Sequence, residues 1–152
     1  NMQYALKNIR YEKGLSILLR LNDPSGLPEP GGIKYDHPKI SWIADNQMKG
    51  ISNLPALTIH TTSDFATATW EHTHDEKIEL ILDEIKSLMT LSIKSAQTHR
   101  WGYTLPINPN KERSLTSLDL HLTLAGDAFG GPRVEGSACS GLHAAKQITL
   151  AI

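Results

Sequence analysis

Side chains and turns that could do chemistry gather in three places in this chain. The first is Leu122-Thr123-Leu124-Ala125-Gly126-Asp127-Ala128-Phe129-Gly130-Gly131-Pro132-Arg133-Val134-Glu135-Gly136, which reads as a strand, a glycine-rich turn and the start of a helix. A helix N-terminus carries unpaired N–H groups and a partial positive charge, so this turn suits an anion or an electron-rich carbonyl. Gly136, Ser137, Ala138, Cys139, Ser140, Gly141, Ala144 and Ala145 are all small. Something must therefore approach the backbone of this helix closely. The same spacing equally suits a plain turn in which Asp127 caps the loop. It is no Walker loop, because the Lys-Ser/Thr ending is missing, and no Gly-x-Gly-x-x-Gly occurs in the chain.

The second place is His72-Thr73-His74-Asp75. Imidazoles and a carboxylate are zinc ligands, but the spacing is poor and the cluster opens a helix, where Asp75 is expected to cap and the histidines to be solvated. No metal is expected. The third is the lone cysteine, Cys139, which has no partner for a disulfide or a CxxC site and reads as a buried structural thiol. The seven histidines are scattered and no Ser or Cys stands in an elbow motif, so no catalytic triad can be assembled.

Alternation and three- to four-residue periodicity define the elements that must position these groups. Leu15, Ile17, Leu19 and Leu21 alternate with Ser16, Leu18 and Arg20 in a strand after Gly14. The segment 23–32, with three prolines and three glycines, is a surface loop. Strands are expected at Ile40–Asp45 and Ala56–Thr61, then a short helix capped within Thr62-Ser63-Asp64. In a longer helix from Asp75, Ile78, Ile81, Leu82, Ile85, Leu88 and Met89 form the buried stripe, with Lys77, Glu79, Asp83, Glu84 and Lys86 on the opposite side. A strand follows over Lys94–Tyr103. Leu118, Leu120, Leu122 and Leu124 alternate strictly with Asp119, His121 and Thr123, predicting another, and Val134–Ile152 is helical. Without regular βαβ alternation the expected class is α+β, a mostly antiparallel sheet with helices on one side.

The chain of 152 residues suits one domain, residues 1–152. Fifteen Lys plus Arg against sixteen Asp plus Glu leave a charge of -1, which speaks against a nucleic-acid partner. No uncharged apolar run has the length of a membrane span and no secretory signal is visible, so no membrane association and a cytoplasmic location are expected. The residue Asn1 ahead of Met2 leaves the natural start at Met2 or upstream.

Gly126-Asp127 followed by Arg133-Val134-Glu135-Gly136 and Ser140-Gly141 resembles the C-terminal flavin motif of FAD-dependent amine-oxidase-like proteins, specifically the renalase-like NAD/FAD-dependent oxidoreductases. The resemblance extends, in the same order, to Ile43-Ala44-Asp45-Asn46, Pro55 through Thr62, Trp70-Glu71-His72 and His99-Arg100-Trp101-Gly102-Tyr103, and covers most of the chain from about Tyr11.

The resemblance implies a substrate-binding region over about 4–117 and a flavin-contacting strand, turn and helix over about 118–152. Asp127 of the Gly126-Asp127 pair would accept a hydrogen bond from the ribityl chain of FAD. The segment Arg133-Val134-Glu135-Gly136 would aim backbone N–H groups at the pyrimidine edge of the isoalloxazine. Trp101 and Tyr103 resemble the segment lining the substrate side of the flavin, and Asn46 and His60 lie on strands that line the same cavity; packing is the alternative role for all four. The implied activity is hydride transfer from an amine or dihydronicotinamide-type small molecule to FAD and then to oxygen. Family members begin with a Gly-x-Gly-x-x-Gly dinucleotide unit, whereas this chain looks like the C-terminal portion without that half. Alone it is expected to lack FAD and activity, and to pair with the missing half or form a homodimer. A non-catalytic binding or interaction domain derived from such an enzyme is the other reading.

Overall fold

The computed structural model describes residues 2–151; Ile152, expected at the end of the last helix, lies outside them. The elements are α1 (Met2–Asn8), β1 (Gly14–Leu21), β2 (Gly32–Lys34), β3 (Ile40–Asp45), β4 (Ala56–Thr61), α2 (Ser63–Ala68), α3 (His74–Leu88), β5 (Ile93–Trp101), β6 (Leu115–Ser117), β7 (Leu122–Leu124), α4 (Asp127–Gly130) and α5 (Val134–Ala151). Every strand pair is antiparallel, so the chain is α+β. It divides into two compact units, Lys13–Gly102 and the flanking segments Asn1–Glu12 with Tyr103–Ile152. The division falls at Gly102/Tyr103, whereas the resemblance places a boundary near 117 within one domain. Among the described residues no helix is long and apolar enough to cross a membrane.

The Lys13–Gly102 unit is a five-stranded sheet in the order β2-β3-β4-β1-β5. Alternation in β1 sends Leu15, Ile17, Leu19 and Leu21 to one face, where they are buried with Ile43, Leu57 and Ile59 against Phe65 and Ala66 of α2 and Ile81 and Ile85 of α3. Each such aliphatic side chain contributes roughly 1.5–3 kcal/mol by leaving water. The helices cover this face, and the opposite one is left open.

Two expectations for α3 need correction. The cap is Thr73, not Asp75: Thr73 has extended backbone angles and its hydroxyl accepts from the Glu76 N–H, while Glu76 accepts from the Thr73 N–H at 2.7 Å. A Thr-x-x-Glu pair satisfies two orphan donors at once, which an aspartate already inside the first turn cannot do. Lys77, expected on the solvent side, is buried. Its ammonium donates to the carbonyls of Trp70 (2.8 Å) and His72 (2.6 Å) where the chain turns between α2 and α3, and Arg100 also donates to Trp70 O at 3.3 Å. Burial, and then the charge of Arg100, push its pKa down.

In the second unit, residues 118–121 form a turn, not strand. The expected strand over Leu118–Leu124 is instead a hairpin in which Ser117 pairs with Leu122, the His121 N–H donates to Leu118 O at 3.1 Å, and His121 takes a φ of 48°. Alternation of leucine with polar residues cannot reveal such a reversal, because the exposed turn residues Leu118 and Leu120 extend the period of the strand. The short elements α1 and β2 carry no periodicity and were not anticipated. Where the chain leaves this unit and returns, Glu12 N–H donates to Leu105 O and Thr104 N–H to Glu12 O, and Tyr11 bridges Pro106.

Candidate functional site

Register on the open face of the five-stranded sheet decides which candidate residues meet. Ser16 lies opposite His60 on β4 and opposite His99 on β5; Trp42 of β3 lies opposite His60; Gly14 lies opposite Trp101. Trp101, His60, Trp42, Ser16 and His99 therefore share one face, as period-2 geometry requires. Asn46, just beyond β3, joins it by donating from Nδ2 to Thr58 Oγ1 at 2.9 Å. The structure thus brings together three of the four residues expected to line a cavity: Trp101, Asn46 and His60.

Ser16 is the hub of this face. Its hydroxyl accepts from Trp101 Nε1–H at 3.0 Å and lies 2.9 Å from His60 Nδ1. The Trp101 ring packs edge-on to His99, with centroids 4.3 Å apart. Trp42 lies over Gly32, where a Cβ would come within 2.5 Å of its Cζ2, so glycine is required for the indole to lie against β2. Burial first, and then the positive charge of Lys49, lower the pKa of His60, which favours neutral imidazole. The result is a partly exposed surface of two indoles, two imidazoles and an amide, suited to a flat ligand with a few polar atoms. Trp42, His99 and Ser16 were not singled out from sequence; alternation marks Ser16 as solvent-facing, and only cross-strand register reveals that Trp101 and His60 cover it.

Tyr103 belongs to the other unit, 82% exposed, its ring edge-on to Tyr11 at 5.6 Å.

The glycine-rich turn forms the expected strand, turn and helix, but with different internal contacts. Asp127 caps nothing with its side chain; it opens the four-residue α4, and its Oδ1 accepts from the Tyr11 hydroxyl at 2.8 Å. Burial and this carboxylate raise the pKa of Tyr11. The close approach forecast by the small residues of α5 is made by the chain itself. A Cβ on Gly136 would lie 2.5 Å from Gly131 O and 2.6 Å from Gly130 O, and one on Gly130 would collide with Gly136 O. Fully buried Ser140 closes the turn, accepting from Gly126 N–H at 2.9 Å and donating to Arg113 O at 2.5 Å.

Beside this packing lies an open pocket of about 270 Å³ whose walls include Arg113, Gly131, Arg133, Glu135, Gly136 and Cys139. Cys139 is only half-buried there, contrary to the expected buried thiol, because it stands on the pocket side of α5. Val134 is exposed, and among the described residues none accepts from the N–H groups of Val134, Glu135 or Gly136. These three N–H groups are available as donors, and the Asp127 carboxylate has a second oxygen besides the one that serves Tyr11. Of the histidine cluster, His74 bonds Thr98 through Nδ1. Among the described residues no three His, Cys, Asp or Glu side chains are placed to share a metal ion. No family model matches the chain.

Proposed function

We propose that this chain is the C-terminal portion of a cytoplasmic, FAD-dependent oxidoreductase of the renalase and amine-oxidase type, acting on an amine or dihydronicotinamide-type substrate. The observation that supports this reading is the convergence of Trp101, His60 and Asn46 on one sheet face, the first two through strand register and Asn46 through its bond to Thr58. FAD, when bound, would supply a hydride acceptor that oxygen can reoxidise. Asp127 would hold the ribityl chain, and the N–H groups of Val134, Glu135 and Gly136 would face the electron-rich edge of the ring, with Gly126 and Arg133 shaping the turn. Trp101 and Trp42 exclude water and orient a flat substrate, while His60 and Asn46 supply polar contacts.

The unit containing α5 leaves Tyr4, Leu118, Leu120, Val134, Leu142 and Leu150 between 65% and 89% exposed. Exposed apolar side chains in such number would suit a covering partner. A dinucleotide-binding half is the partner proposed, with a second copy of the chain as the substitute in its absence.

The test is an absorption spectrum. The chain alone purifies colourless and binds FAD weakly, because a pyrophosphate cradle is lacking. Adding an upstream dinucleotide-binding half, fused or as a separate chain, yields a stoichiometric flavin spectrum after desalting. An extended protein that binds no flavin would leave the non-catalytic interaction domain as the correct reading.

A further inference from the structure

We infer that Ser16 is a positioning residue that locks His60 in the tautomer carrying its proton on Nε2, so that the open sheet face presents a neutral N–H donor to a carbonyl-type acceptor on the ligand. This rests on the substrate-wall reading of that face and specifies its chemistry.

The argument is a count of protons and lone pairs. Indole Nε1–H can only donate, so Trp101 occupies one lone pair of Ser16 Oγ. A serine hydroxyl has a single proton. If it goes to His60 Nδ1, every group in the chain Trp101–Ser16–His60 is satisfied and the imidazole proton resides on Nε2. If Nδ1 carried the proton, it would donate to Ser16, and the serine proton would have no acceptor. Ser16 is 2% exposed, and among the described residues its hydroxyl has no partners besides Trp101 and His60, so that arrangement strands a buried donor. The first arrangement wins.

His60 Nε2 makes no hydrogen bond among the described residues, and the side chain is exposed beside Trp42. A lone N–H donor thus stands between indoles. Protonating the ring would place a second proton on Nδ1 and reverse the Ser16 bond, so the relay opposes imidazolium formation. Of the charged and titratable groups around this imidazole, Lys49, which follows β3, works the same way, while Lys34 of β2 lies opposite Trp42 and His99 lies across Ser16 on β5. His60 therefore binds an acceptor oxygen and does not serve as a base.

The experiment is a long-range ¹H–¹⁵N correlation spectrum of the ¹⁵N-labelled chain across pH 5–8, with His60 assigned from His60→Gln. Wild type is expected to show Nε2 protonated, Nδ1 unprotonated and a titration midpoint below that of ordinary histidine. Ser16→Ala should move Nδ1 and Nε2 toward averaged shifts and raise the midpoint, and Ser16→Thr, which restores a hydroxyl, should return both to wild-type values. A wild-type Nδ1–H tautomer overturns the inference, as does a Ser16→Ala spectrum identical to wild type. Should Ser16→Ala not fold, the wild-type tautomer alone decides. No flavin enters this measurement, so its failure is distinct from failure of the FAD spectrum.

Discussion

Two glycines five residues apart in α5 should respond to alanine with opposite signs. At Gly136 a Cβ would lie 2.5 Å from Gly131 O, 2.6 Å from Gly130 O and 2.9 Å from Gly130 C. These are backbone atoms at the end of α4, roughly 1 Å inside an ordinary van der Waals separation, and no rotamer change can relieve them. The turn must shift or the helix must retreat, so Gly136→Ala is expected to cost about 1–3 kcal/mol, as overpacking does. At Gly141 nothing lies within 4 Å of the added carbon. There the loss of glycine's unfolded-state freedom dominates, and Gly141→Ala should stabilise by about 0.5–1 kcal/mol. Urea unfolding followed by far-UV circular dichroism reads both changes; in a thermal melt, a chain of this size moves roughly 2–4 °C per kcal/mol. Equal shifts for the two variants, or a neutral Gly136→Ala, would refute the reading that Gly136 is small for its own turn and would return it to ligand approach alone.

Removing the ammonium that serves Trp70 and His72, Lys77→Ala should cost about 1–3 kcal/mol in denaturant unfolding. Because burial lowers the folded pKa of Lys77, its charging penalty is complete below that value and fades as pH rises toward the ordinary lysine range; wild-type stability minus that of Lys77→Met should therefore grow with alkaline pH. Tyr11→Phe should destabilise by about 1–2 kcal/mol through loss of the bond to Asp127, and Asp127→Ala comparably. Since the Tyr11 pKa is raised, its contribution is whole below the ordinary tyrosine value and disappears as pH climbs through the folded one, which a tyrosinate absorbance titration will follow. Trp101→Ala, at a site 47% exposed, should leave the fold intact and slow flavin reduction in the extended protein without releasing FAD; loss of soluble protein would assign Trp101 to packing instead.

Long periodic segments were legible because burial of one face imposes a period. Leu15 through Leu21 and Ile81, Leu82, Ile85, Leu88 and Met89 carry that signature, while Ile78, expected in the same stripe, stays outside the core, and β3 and β4 match their expected limits. The hairpin at Leu118–His121 was illegible, since its leucines are exposed and obey no burial rule. Lys77 misled for a related reason: residue type signals solvent, but its partners are two carbonyls from a turn that the sequence does not locate. At the candidate site, Trp101, His60 and Asn46 could be named individually, whereas their common face depends on register, a relation between strands far apart in the chain. Ser16 follows only once that register is known. Tyr11 is 116 residues from Asp127, and no local pattern links them.

The chain departs from one unit after Glu12 and returns at Tyr103, and backbone bonds between Glu12 and residues 104 and 105 tie those two points together. The excursion likewise begins and ends on paired strands, Gly14 opposite Trp101. Closing an unstructured loop of that length would carry an entropic cost that grows with the logarithm of its size. Pairing of β1 with β5 brings the ends of the excursion together, so joining the host segments there adds little further entropic cost. Adjacent ends of this kind are the arrangement in which an inserted segment such as 13–102 is exchanged for another with neighbouring termini. Change on the sheet face that carries Trp101 and His60 is thereby separated, in chain topology, from maintenance of the glycine-rich turn.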